Sequence, residues 1–131
     1  MASDNLLIKS AIDKLSNSYA PYSKFNVSSV IVTANDEIYF GVNVENASYG
    51  LTICAERSAI ANMVANSKIH KIKKVIVLSK AKIKTPPCGA CRQVISEFAT
   101  EDCQVILPHG ENYDEILQVS AKELMPFGFE L

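Results

Sequence analysis

Cys54-Ala55-Glu56-Arg57, followed later by Pro87-Cys88-Gly89-Ala90-Cys91-Arg92, is the pair of segments on which the reading of this chain turns. Together they supply three thiol ligands and a carboxylate two residues from one of them. A structural zinc site usually takes four protein ligands, whereas three sulfurs leave one tetrahedral position open to a water. The pattern predicts a catalytic zinc centre of Cys54, Cys88 and Cys91, with Glu56 as the residue that moves protons to and from that water. Ligand softness and the lack of any redox requirement favour zinc, although iron and cobalt bind the same sulfurs.

Each cluster reads as the start of a helix. Ala59, Ile60, Met63 and Val64 recur at helical spacing between Cys54 and Asn66, and Ser48 to Ile53 ahead of them is loop-like. Pro86 and Pro87 end whatever precedes Cys88, and Val94, Ile95 and Phe98 mark the buried face of a second helix. Residues 54 and 56 differ by about 200° around a helix axis, so their side chains can share a metal only off the helix end. Cys88 and Cys91, three apart, fall on one face. Two helix N-termini at one metal favour thiolates over thiols. Three thiolates give Zn²⁺ a formal net charge of about -1, which weakens its pull on the water. A guanidinium from Arg57 or Arg92 offsets that charge, and Arg57, next to Glu56, is the better placed.

The ordinary alternatives explain less. A glutamate in a first helical turn often does no more than complement the dipole; Glu56 gains weight from its place between the two cysteine clusters. Disulfides are disfavoured because the N-terminus has no apolar core of a secretion signal and the chain reads as cytoplasmic. A thioredoxin-like Cys-x-x-Cys pair leaves Cys54 and Glu56 without a role. Cys103 precedes the apolar run Val105-Ile106-Leu107 and reads as a packing residue, and His70 and His109 read as surface residues.

Working outward, Leu7, Ala11, Ile12 and Leu15 mark one face of an opening helix capped by Ser3 or Asp4. Val27 to Thr33 and Ile38 to Val44 read as a hairpin, Val75 to Leu78 as a strand buried on both faces, and Gln104 to Leu107 as another strand. The order α-β-β-α-β-α-β predicts a single α/β domain over 1–131, a mixed sheet covered by helices on both faces, with the metal clusters beside strand ends. With 131 residues, 48% hydrophobic content and a net charge of -1, the chain is long enough for one core and has no general affinity for polyanions. Lysines 68, 71, 73, 74, 80, 82 and 84 flank the buried strand rather than interleaving with aromatics, so they read as a solvated rim and not as a nucleic-acid surface. No apolar run is long enough to cross a bilayer, so no membrane partner is expected.

Cys54-Ala55-Glu56-Arg57 and Pro87-Cys88-Gly89-Ala90-Cys91-Arg92-Gln93, with Pro21-Tyr22-Ser23-Lys24-Phe25 and Gly41-Val42-Asn43-Val44-Glu45-Asn46, resemble the cytidine deaminases in their short, homotetrameric form. The resemblance runs from about Tyr19 to Phe127 and implies the three-layer α/β/α deaminase fold. It implies Cys54, Cys88 and Cys91 as zinc ligands and Glu56 as the acid and base. Asn43 and Glu45 become ribose contacts, Phe25 the aromatic against the pyrimidine and Ala55 a further substrate contact. Ala47, Tyr49 and Phe127 match positions that complete a neighbouring subunit's site, so a self-assembled homotetramer is the expected partner state. Ser28-Ser29 stand where the family often has Gly-Ala.

The function expected from this resemblance is hydrolysis of cytidine and 2′-deoxycytidine to uridine and 2′-deoxyuridine with release of ammonia, a pyrimidine salvage reaction in which water activated by zinc attacks C4. A deaminase of a cytosine nucleoside antibiotic such as blasticidin S shares the zinc core but does not call for the ribose-binding pair Asn43 and Glu45. A non-catalytic zinc-stabilised module and a polynucleotide editor are the remaining alternatives.

Overall fold

The computed structural model describes residues 2–131. Helix α1, Asp4–Lys14, opens the chain with Ser3 as its N-cap, the Ser3 hydroxyl accepting from the Leu6 N–H. The β-branched run Val27–Thr33 forms β1 and Ile38–Val42 forms β2, paired antiparallel through a turn in which Asp36 takes a left-handed backbone, φ 69°. Helix α2, Ala55–Asn66, leads to β3, Ile72–Ser79; helix α3, Gly89–Phe98, leads to β4, Ala99–His109. The chain then adds β5, Glu115–Ser120, and a short α4, Ala121–Leu124.

The five strands form one sheet in the order β2-β1-β3-β4-β5. The β3-β4 pair is parallel and bridged by α3, and the other three pairs are antiparallel. Alternating side chains feed two cores. Val75 and Val77 of β3 pack with Ala55, Ala59, Ile60 and Met63 of α2 and Ile95 of α3. Ile76 and Leu78 pack on the opposite face with Leu7, Ile8 and Ala11 of α1. This is the expected three-layer arrangement, and β3 is buried on both faces.

Three expectations need adjustment. The second hairpin strand ends at Val42, and Val44 makes only isolated bridges to Tyr19 and Ile53. Val64 points to solvent rather than into the core. The terminal β5 and α4 lie beyond the expected element order; β5 is a largely exposed edge whose sequence EILQVS lacks a buried apolar run. The register pairs Val27 with Ser79 and Ser28 with Val42, so the start of β1 and the ends of β2 and β3 share one end of the sheet. No helix among the described residues is long and apolar enough to cross a membrane.

Candidate functional site

Cys54 is the N-cap of α2 and Cys88 the N-cap of α3; both have extended backbones and neither makes a side-chain cap hydrogen bond, which leaves their sulfurs free for other partners. Cys91 sits one turn into α3 and is fully buried. The three Sγ atoms lie within 4.8 Å of one another, and those of Cys54 and Cys88 are 3.8 Å apart. Sulfurs held tetrahedrally at about 2.3 Å from a zinc ion are separated by about 3.8 Å. The donor set and its spacing therefore fit zinc. Cys103 is buried away from this group, with its thiol pushed up to about 12 by burial and the nearby Asp102 charge.

Arg57, not Arg92, serves the sulfurs. Its Nη2 donates to Cys54 Sγ at 3.3 Å, and hydrogen bonds to Cys54 and Cys91 raise the guanidinium pKa further, so its charge is permanent. Its buried Nε has no partner among the described residues. Arg92 instead braces the chain, donating from Nε to the Pro87 carbonyl at 2.7 Å and from Nη1 to that of Leu124 at 3.3 Å.

Glu56 is 5% exposed in the first turn of α2, and burial holds its carboxyl above the ordinary value of 4.5 against the opposing effects of the Arg57 charge and a hydrogen bond with Cys91. A carboxylate that costs free energy to ionise is a ready proton acceptor. The interaction with Cys91 sets its carboxyl near that residue.

What lets α2 sit so low on the sheet is Gly41. A Cβ there would stand 2.3 Å from the Ala59 nitrogen and 2.4 Å from the Ala55 carbonyl oxygen. The missing side chain brings the start of α2 against β2, and with it Cys54 and Glu56.

A cleft of ≈ 400 Å³ is lined by Tyr22, Ser23, Glu45, Tyr49 and Thr52, and Thr52 stands two positions before Cys54 in the chain. Tyr22 and Tyr49 meet edge to face, with ring centroids 6.0 Å apart. Glu45 lines the cleft, and it and Asn43 are both buried with much of their bonding capacity engaged. Asn43 Oδ1 accepts from the Ser18 hydroxyl and from the Val27 N–H at 2.9 Å, and its Nδ2 donates to the Phe25 carbonyl at 2.8 Å. Glu45 Oε1 accepts from the N–H groups of Tyr22 and Ser23 at 2.9 and 3.1 Å, while Oε2 accepts from the Ser23 hydroxyl. The hydroxyl bond of Ser23, then the backbone bonds, hold Glu45 below its ordinary pKa despite burial, so it is ionised.

Phe25 stands half-exposed beyond this network. Ala55 is buried in the core, so only its backbone can face a ligand. Ala47 and Tyr49 are exposed near the cleft, but Phe127 lies apart: fully exposed, with a left-handed backbone at φ 56°, it borders a different cavity of ≈ 470 Å³ between α3, β4 and the C-terminal segment. In sequence, Ser18 and Ser23 carry no site signal of their own. Serines are common in turns, and only the placement of Asn43 and Glu45 reveals their part.

A family model described as the cytidine and deoxycytidylate deaminase zinc-binding region matches residues 1–107. Among curated proteins, the cytidine deaminase of Halalkalibacterium halodurans is 38% identical over 124 residues, covering 95% of this chain and 92% of that one. That of Mycoplasma pneumoniae is 44% identical over 116 residues, covering 88% and 85%. Among solved structures, a cytidine deaminase from Burkholderia pseudomallei superposes with a TM-score of 0.87 at 35% identity, over 98% of this chain and 100% of that one.

Proposed function

The chain belongs to the cytidine and deoxycytidylate deaminase zinc-binding family, and on that premise we propose how its own residues divide the work of hydrolysing cytidine to uridine and ammonia. The observation that carries the assignment of roles is the meeting of three sulfurs at two helix starts with the buried carboxyl of Glu56 beside them. Cys54, Cys88 and Cys91 hold the zinc, and Arg57 offsets their charge. Zinc bound there supplies a Lewis acid that lowers the pKa of a coordinated water toward neutrality.

Glu56 carries the protons. Its carboxylate accepts one from the attacking water and delivers it to ring N3, which withdraws electrons from C4. The water's oxygen adds to C4; Glu56 then takes the proton left on that oxygen and passes it to N4, and the C4–N4 bond breaks, so ammonia leaves and a carbonyl remains. The backbone N–H groups at the start of α2, that of Ala55 among them, are without helical partners and face the developing charge.

Asn43 and Glu45 bind the sugar with what they have left. Asn43 retains one N–H, and Glu45 has about one of its four lone-pair sites free. A single hydroxyl that accepts from the first and donates to the second satisfies both. That stoichiometry asks for one sugar hydroxyl rather than two, which supports use of cytidine and 2′-deoxycytidine alike. Phe25 packs against the pyrimidine. Ala47, Tyr49 and Phe127, exposed on the protomer, complete the site of a neighbouring subunit in a homotetramer. Purified protein carrying one zinc per chain is expected to consume both nucleosides with kcat/KM values within about tenfold of each other, a gap of about 1.4 kcal/mol. A larger gap would show that a second hydroxyl is read.

A further inference from the structure

Phe25 is held at both of its backbone polar groups by side chains from elsewhere in the chain. Its carbonyl accepts from Asn43 Nδ2 at 2.8 Å, and its N–H donates to Ser23 Oγ at 3.0 Å. The Ser23 hydroxyl in turn donates to Glu45, and the Ser23 N–H donates to the same carboxylate at 3.1 Å. Between Ser23 and Phe25, Lys24 adopts a left-handed backbone at φ 60°, and its N–H closes back on the Ala20 carbonyl at 3.0 Å. An exposed turn with a lysine in that conformation does not hold its shape unaided, because the left-handed region disfavours a residue with a Cβ. The chain from Glu45 through Ser23 to the Phe25 N–H is what holds it.

We propose that Ser23 is a positioning residue for the deamination: by bridging Glu45 to the Phe25 backbone, it fixes the aromatic ring where the pyrimidine docks. This rests on the reading of Phe25 as the base-packing residue. One serine oxygen acts in both directions, as donor to an ionised carboxylate and as acceptor from an amide, and such charge-assisted links are stronger than neutral ones. The order of the turn is then set before substrate arrives, which lowers the entropy lost on binding. Because packing on the base is present in the ground state and in the transition state alike, its loss is felt in KM rather than in kcat.

The test is a double-mutant cycle on cytidine turnover, with zinc content and Tm measured on each variant. Ser23→Ala is expected to raise KM about tenfold, the order expected for one hydrogen bond to a charged group, with kcat and zinc unchanged and Tm lower by a few degrees because Glu45 loses a bond. Ser23→Thr, which keeps the hydroxyl, is expected to stay close to wild type. In a Phe25→Ala background, Ser23→Ala is expected to cost clearly less than in wild type, since the ring it positions is gone and only its bond to Glu45 remains to be lost; uridine binding by calorimetry reads the same cycle if turnover is slow. An unchanged KM in Ser23→Ala overturns the proposal, as does an equal cost with and without the Phe25 ring, or a loss of zinc that shows a general folding role. Failure of the underlying reading looks different: Phe25→Ala itself would leave KM unaltered.

Discussion

Ser28 and Ser29 are neighbours on β1, both fully buried, yet they point to opposite layers. The Ser28 hydroxyl donates to the Ala11 carbonyl at 2.6 Å, tying the sheet to α1. Ser29 faces the α2 layer, opposite Gly41 and Val77, and its hydroxyl has no partner among the described residues. A buried unpaired hydroxyl costs about 1–3 kcal/mol. Ser29→Ala is therefore expected to raise Tm by about 4 °C with the zinc content unaltered, as read by thermal unfolding of the two proteins side by side. A lower Tm would mean that the hydroxyl is bonded in solution.

At the scale of elements, the fit of α2 on β2 controls the site. Gly41→Ala places a carbon within 2.8 Å of three backbone atoms of α2, none of which is a flexible side chain. The helix must move outward, taking Cys54 and Glu56 with it. Overpacking of this kind costs about 1–3 kcal/mol, so a lower Tm, weaker zinc retention under a chelator and reduced turnover are expected together. Full activity in this variant would show that the contact is not limiting. The far end of the same layer is tied by Glu37, which accepts from the hydroxyls of Ser67 and Tyr39. The Ser67 bond, against burial, holds its pKa below the ordinary 4.5. A depressed carboxylate pKa contributes stability that is present above the ordinary value and lost as pH falls through the folded one. The Tm difference between wild type and Glu37→Gln is thus expected to shrink as pH drops below about 4.5; a difference constant with pH would contradict this.

Most of these elements are legible in the sequence because their signals are local. The β-branched run Val27–Thr33 gives β1 its bounds, and the prolines before Cys88 with the spacing of Val94, Ile95 and Phe98 give α3. The metal ligands are legible because cysteine at that spacing has few other uses in such a chain. What escapes is non-local. An edge strand such as β5 is defined by its register with β4 rather than by its own hydrophobicity. Ser23 is joined to Glu45 only by the fold, and Arg57 is separated from Arg92 only by which guanidinium reaches a sulfur.

For the whole molecule, the large apolar side chains of Tyr49, Leu51, Phe127, Phe129 and Leu131 are all exposed, and Phe127 adopts a left-handed backbone unusual for an aromatic. In the proposed homotetramer, this surface would be covered and Phe127 would reach a neighbour's cleft. Light scattering is expected to give four times the chain mass, with Phe127→Ala lowering turnover while zinc stays bound; a fully active monomer would contradict the shared site.

In the proposed mechanism, Glu56 moves protons beside a zinc held by three cysteines. The direct measurement is the fall in ultraviolet absorbance as cytidine is converted, compared between wild type and Glu56→Gln at equal zinc content. Wild type is expected to convert cytidine, with the variant slower by about 10²- to 10⁴-fold and still binding one zinc per chain. Comparable turnover in the two proteins, or loss of zinc from the variant, would contradict the role assigned to Glu56.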